Sequence, residues 1–249
     1  AAVGSTSSIM FCVQGIATGL TTGFGVLISQ AYGAKNEKNL RHNVAMSTYL
    51  TILISVLITT ILLIVNKPLL HTMNTPEEIF GGASTYLRII FAGFFATMGY
   101  NLFAAVLRAI GDSKTPLYFL ILSSVLNIIL DLVFVIIFRM GVAGVAYATV
   151  ASQVVSAVLC FLYMKKKYPQ VMKAEADEKV FSLGSAGKLM GMGVPMALQF
   201  SITALGTMIV QSTLNLLGET AIAAYAAAQK LQGIVGQPYV ALGSAMATY

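Results

Sequence analysis

Seven runs of apolar residues, each long enough to cross a bilayer, follow one another along this 249-residue chain: 4–32, 43–65, 83–107, 116–138, 142–164, 189–217 and 221–249. At about 1.5 Å of rise per residue, roughly 20 residues of helix cover the hydrocarbon core of a membrane. Lipid offers the backbone no hydrogen-bond partners, so such runs satisfy themselves as α-helices. The composition agrees, with 57% hydrophobic and only 10% charged residues, against about 25% charged in soluble domains. The expected fold class is an all-α integral membrane protein with seven transmembrane helices, multi-pass in a cell membrane of the bacterial inner-membrane kind.

The charges report orientation. The formal net charge is +6, but the basic residues stand between apolar runs and form no basic face interleaved with aromatics, which excludes nucleic acid as a partner. Lys35, Lys38, Arg41, Arg108, Lys114 and six lysines of 165–188 fall on one side of the expected spans. Lys67, Arg88 and Arg139 fall on the other. By the positive-inside rule the richer side is cytoplasmic and the amino end is outside. Turns are expected at 33–36, 66–68, 111–114 and Gly141, because Gly, Asn and Pro punctuate the pattern there. Gly111 is suited to a positive φ that ends the third span, and Pro116 to the first turn of the next, where no N–H is needed. Cys12 and Cys160 lie in apolar sequence as packing residues. His42 and His71 fall in loops on opposite sides, and no Ser/His/Asp or metal-binding cluster is present, so no enzyme is expected and no metal beyond a possible Na⁺ at Asp131.

The longest polar interval divides the chain. Residues 165–188 are charged and read as a cytoplasmic linker between an amino-lobe bundle, 1–164, and the start of a carboxyl-lobe bundle, 189–249. An offset of 222 residues lays Gly19, Gly23 and Gly25 on Ala241, Ala245 and Ala247, the pattern of a pseudo-two-fold repeat about an axis along the membrane normal. On that reading the first helix of the amino lobe precedes this chain, and the second bundle continues beyond it.

Within the fourth run, 116–138, Asn127 and Asp131 are four residues apart and share one helix face. A carboxylate near the centre of a membrane helix costs about 2.5 to 3.5 kcal/mol on insertion scales, so it faces a partner or a wet cavity. Asp131 is therefore the default functional residue, and the alternative is that it bonds a neighbouring helix as structural glue. In the next run, Thr149 either supplies an oxygen to a cation at Asp131 or bonds the carbonyl four residues back. The span 189–217 holds Gln199, Thr203, Gln211 and Asn215 but no acid. Lys230, beside Gln229, is the cation inside the last span, about nine residues from Ala221, close enough to snorkel outward.

Several motifs carry a resemblance. They are Gln30-Ala31-Tyr32-Gly33-Ala34 at a helix end, Leu107-Arg108-Ala109-Ile110-Gly111-Asp112-Ser113-Lys114-Thr115-Pro116 between the third and fourth spans, Asn127 with Asp131, and Gly141-Val142-Ala143-Gly144-Val145-Ala146-Tyr147-Ala148-Thr149. Together they resemble the multidrug and toxic compound extrusion (MATE) family of secondary transporters, with the chain matching the family's helices two to eight. The resemblance implies two six-helix bundles joined by a cytoplasmic loop, and a cation site at Asp131, Asn127, Thr149 and Asn101. It also implies that the family's other amino-lobe acid lies on helix one, outside the matched helices.

The function expected from these residues is antiport by alternating access. Organic cationic or amphiphilic drugs would leave in exchange for Na⁺ or H⁺, with no cofactor besides the coupling ion. Small organic molecules and the bilayer are the expected partners, the transporter acts as a monomer, and Gln199, Thr203 and Gln229 are candidate substrate contacts. The alternatives are a flippase for lipid-linked saccharides, which needs basic residues in its cavity for pyrophosphate, and a channel or non-transporting scaffold.

Overall fold

The computed structural model describes residues 6–72, 77–172 and 181–215 and scattered positions from 225 to 246. Among the described residues all regular structure is helical. Helices α1 (Ser7–Gly33) and α2 (Glu37–Thr72) are followed by α3 (Glu77–Ala92) and α4 (Phe94–Ala109). Then come α5 (Lys114–Leu132), which runs on into a wider π-turn at Val133–Ile137, α6 (Gly141–Lys167), the short α7 (Pro169–Met172) and α8 (Leu183–Asn215). Five single helices are long and apolar enough to span a membrane, and α3 with α4 makes a sixth, bent span. The expected seventh span, 221–249, falls largely outside the described residues, as do the Ala positions of the proposed repeat and Lys230.

Helix α1 is the most buried of the spans. It lies against α8 on one side and α4 on another, with α2 alongside. Helix α6 packs on α3, α4 and α5, so α5 reaches the rest of the bundle through α6. Small residues set the closest approaches, as expected where lipid supplies no hydrophobic drive between helices. A Cβ on Gly23 would stand 2.5 Å from the Gly193 Cα of α8, and one on Gly19 would collide with Ala197. The core gathers Phe24, Ile28, Phe91, Leu102, Leu107 and Met164, all essentially inaccessible.

Three expectations are corrected. The third span is not one straight helix: α3 and α4 meet at 45°, because Val150 of α6 occupies the place where a Cβ of Gly93 would be. The expected turn at 66–68 lies inside α2, which continues through Pro68 to Thr72. There Asn66 Nδ2 donates to the Ser84 carbonyl at 3.1 Å, and Leu70 is fully buried, so tertiary packing outweighs the local signal of a single proline near a helix end. For the same reason Lys67, His42 and His71 belong to α2, and Arg88 to α3. His42 Nε2 lies 2.8 Å from Ser185 Oγ, tying α2 to α8.

Turn chemistry also separates expectation from outcome. Gly111 does take a positive φ, +91°, and so does Gly141, +55°. After α1, however, the left-handed residue is Lys35 and not Gly33, and Asn36 caps the next helix by accepting from the Asn39 N–H at 3.0 Å. The 165–188 interval is partly helical, since α6 runs to Lys167 and α8 begins at Leu183.

The Gly-Asp-Ser-Lys-Thr-Pro turn proves to be a junction. Asp112 accepts from the Thr115 N–H at 3.2 Å and hydroxyl at 2.9 Å, and from the Tyr163 and Tyr168 hydroxyls at 3.1 Å each. Lys167 Nζ lies 3.6 Å from the same oxygen. One carboxylate thus fastens the start of α5 to the end of α6 and the approach to α7. Burial alone would raise its pKa, but the hydrogen bonds from Thr115, Tyr163 and Tyr168 outweigh burial and hold it below the usual carboxylate range. A depressed folded-state pKa stabilises above the unfolded value of about 4 and loses that stabilisation as pH falls through the folded value. Asp112→Ala is expected to cost about 1.5 to 3 kcal/mol, the worth of hydrogen bonds to a charged group. Unfolding measured against pH should show the parent losing its advantage over the variant only below the ordinary carboxylate range.

Candidate functional site

The site rests on how α5 meets α6. These helices are antiparallel, and two hydroxyls fix their register: Ser123 donates to the Ser152 carbonyl at 3.0 Å, and Ser156 to the Phe119 carbonyl at 3.1 Å. Each residue gained along α5 is one residue back along α6, so Asn127 stands level with Ala148 and Asp131 with Gly144. At that level the helices touch closely, since a Cβ on Gly144 would lie 3.0 Å from the Phe134 Cβ. The π-turn begins two residues after Asp131, and such widened turns recur at functional sites.

Both polar residues on α5 are half-buried, and each keeps a buried atom without a partner: Nδ2 of Asn127 and Oδ1 of Asp131. On α6, Gln153 Oε1 is a third such atom, one helical turn beyond Thr149 on the same face. Buried polar groups are seldom left unpaired, and each costs about 1 to 3 kcal/mol when it is. The two on α5, one turn apart on one face, mark a place where the protein has kept bonding capacity in reserve, whereas Gln153 stands level with Leu122, about 13 Å along the helices from Asp131. One carboxylate with a neutral amide and a hydroxyl near its level is a donor set for a hard monovalent cation or a proton.

The expected residues divide. Asp131 and Asn127 share the face foreseen. Thr149 lies at their level, with its hydroxyl donating to the Val145 carbonyl at 2.9 Å, which leaves only its lone pairs for a cation. Asn101 is not brought to them. Its neighbour Tyr100 donates to the Pro116 carbonyl at 3.1 Å, so Asn101 sits by the start of α5, about 20 Å along that helix from Asp131, and its amide donates to the Thr97 carbonyl at 2.9 Å. Gln199 and Thr203 are exposed on α8, which packs on α1 and α2 rather than on α5 or α6. Gln229 lies outside the described residues. Sequence reasoning missed the π-turn that follows Asp131, which no residue of the apolar run announces.

The MatE family model matches residues 1–133. The chain is 34% identical, over its whole length, to the probable multidrug resistance protein YoeA of Bacillus subtilis strain 168, covering 55% of that protein. It is 32% identical over 96% of its length to the probable multidrug resistance protein YpnP of the same strain, covering 53% of it. Among solved structures, an outward-facing multidrug resistance MATE family transporter of the MOP superfamily superposes with a TM-score of 0.87 at 26% identity. It is matched by 99% of this chain, over 54% of its own length. An inward-facing multidrug resistance MATE family transporter of the MOP superfamily gives 0.82 at 26% identity, with 99% of this chain and 56% of that one covered. The chain spans about half the length of the curated relatives it matches.

Proposed function

The chain belongs to the MatE family, and from that premise we propose that it forms one lobe and the start of the second of an ion-coupled antiporter that expels organic compounds. It is a multi-pass membrane protein. In the proposed division, 1–164 is the amino-lobe bundle, 165–188 the cytoplasmic linker and 189–249 the beginning of the carboxyl lobe. Multidrug resistance is what the names of the relatives state, and export of cationic or amphiphilic drugs in exchange for Na⁺ or H⁺ is the reading carried to this chain. Neither the family nor its neighbours are enzymes by name.

The observation that carries the proposal is the unpaired Asp131 Oδ1 beside the unpaired Asn127 Nδ2 in an apolar span. An ionised carboxylate there is neutralised by taking a cation or a proton, and the two states differ in what the lobe around them stabilises. A drug that binds one state better shifts the equilibrium by its difference in affinity. Asn127 contributes an amide dipole and Thr149 a lone pair. Asp131 supplies the charge.

The test is efflux from vesicles holding the full-length transporter that contains this chain, with a Na⁺ or H⁺ gradient imposed. Export of an organic cation is expected to follow one of the gradients and to stop when an ionophore collapses it. Export that proceeds equally without either gradient refutes ion coupling. Asn127→Ala is expected to raise the ion concentration for half-maximal transport about tenfold, the worth of one hydrogen-bonding group to a charge, without silencing transport, because the carboxylate remains.

A further inference from the structure

We propose that the face formed by α2, α3, α4 and α6 binds one anionic phospholipid, its phosphate on Arg88 and one acyl chain along α4. Arg88 lies eleven residues into α3, which forms with α4 a membrane span. It is exposed, and among the described residues no hydrogen bond or ion pair engages it. An arginine at membrane depth is expensive and ordinarily pairs or marks a function. Here its guanidinium opens into a cavity of about 580 Å³ whose other walls include Thr85, Ile89, Tyr147 and Val150. The Tyr147 hydroxyl is a neutral donor of the kind a phosphate takes alongside a guanidinium, whose planar fork matches phosphate oxygens in pairs, whereas the Thr85 hydroxyl donates to the Gly81 carbonyl at 2.9 Å. No carboxylate lines the cavity.

A second cavity, of about 480 Å³, continues on the same face and is almost wholly apolar. Phe95 lines both cavities. The second runs along α4 past Gly99 to Phe103, with Ile52 of α2 and Phe161 of α6 as its rims. Gly99 keeps the floor low, since a Cβ there would already be 3.8 Å from the Ala157 Cβ. From Arg88 to Phe103 the helices rise about 20 Å, the reach of an extended long acyl chain. A cationic end joined to an apolar trough of that length complements an anionic amphiphile, and the rims are exposed at the depth where a bilayer supplies one. The headgroup end lies toward the turn at Gly141, opposite the lysine-rich helix ends, which places the lipid in that leaflet. None of this surface includes Asp131 or Asn127, so the lipid would steady the bent α3–α4 span from outside the candidate cation site.

The chain contains no tryptophan, so Phe103→Trp or Phe161→Trp introduces a single reporter. In the full-length transporter that contains this chain, reconstituted into bilayers, the fluorescence added by that indole over the parent is expected to be quenched by tail-brominated phosphatidylglycerol at about fivefold lower mole fraction than by brominated phosphatidylcholine, the worth of one arginine toward an anionic lipid. Arg88→Gln should erase the preference and Arg88→Lys should keep most of it. Native mass spectrometry of the chain without a reporter should show phosphatidylglycerol retained by the parent and lost from Arg88→Gln. Equal quenching by the two headgroups, a preference that survives Arg88→Gln, or displacement of the lipid by inorganic phosphate alone would overturn the assignment. Transport is not read, so the result stands apart from that of the antiport proposal.

Discussion

Gly23→Leu is expected to separate α1 from α8 and to lower the amount of folded protein in the membrane more than any other single change named here. A Cβ at position 23 would already lie 2.6 Å from the Met192 carbonyl oxygen and 2.5 Å from the Gly193 Cα. These are backbone atoms, which cannot rotate aside as a flexible side chain can. Overpacking in a close-fitted interior costs about 1 to 3 kcal/mol and sometimes more, and backbone against backbone belongs at the upper end. Gly19 repeats the arrangement one turn away against Ala197, so the double change Gly19→Leu with Gly23→Leu has no packed alternative on that face. Gly33→Ala is the control, because nothing lies within 4 Å of a Cβ there. Thermal unfolding in detergent, followed by the loss of monodisperse protein, should show Gly23→Leu far below the parent and Gly33→Ala close to it. If Gly23→Leu melts with the parent, the α1–α8 contact is not what holds these helices together.

The second large effect is chemical. Asp131→Asn keeps the size of the side chain and part of its hydrogen bonding and removes its charge. The variant is expected to insert and fold, since the parent holds Asp131 Oδ1 without a bond to lose and the change removes a charge whose insertion costs about 2.5 to 3.5 kcal/mol. Ion-driven efflux by the full-length transporter should be abolished. Substrate binding in the absence of a gradient should persist, because the drug is not expected to be held by the coupling charge. A variant that is poorly inserted would show that Asp131 holds helices together.

Much of the architecture was legible in the sequence because its cause is local. Apolar length specifies a span, and among the described residues helices occupy six of the seven runs, the seventh lying largely outside them. The positive φ of Gly111 follows from a glycine that ends a helix before a proline-started one. What the sequence concealed came from tertiary packing. The bend at Gly93 exists because Val150 fills the space that a side chain would need, and nothing within 83–107 announces it. Helix α2 runs through Pro68 because Asn66 is anchored to Ser84, a residue on another helix. The candidate site divides along the same line. The i, i+4 relation of Asn127 and Asp131 is a property of one helix and was readable. The separation of Asn101 and the level of Thr149 depend on how α4 and α6 are set against α5, which the hydroxyl bonds of Ser123, Ser156 and Tyr100 reveal.

The central claim is that Asp131 takes up the coupling ion, and infrared difference spectroscopy of the reconstituted transporter reads this directly. A protonated carboxyl and a carboxylate holding Na⁺ absorb differently, so one spectrum recorded against pH and another against Na⁺ register either ion. The expected result is a carboxyl signal in the parent that responds to one of the two ions and is missing from Asp131→Asn, with Asn127→Ala keeping the signal at higher ion concentration. A difference spectrum that is the same in the parent and in Asp131→Asn would contradict the claim.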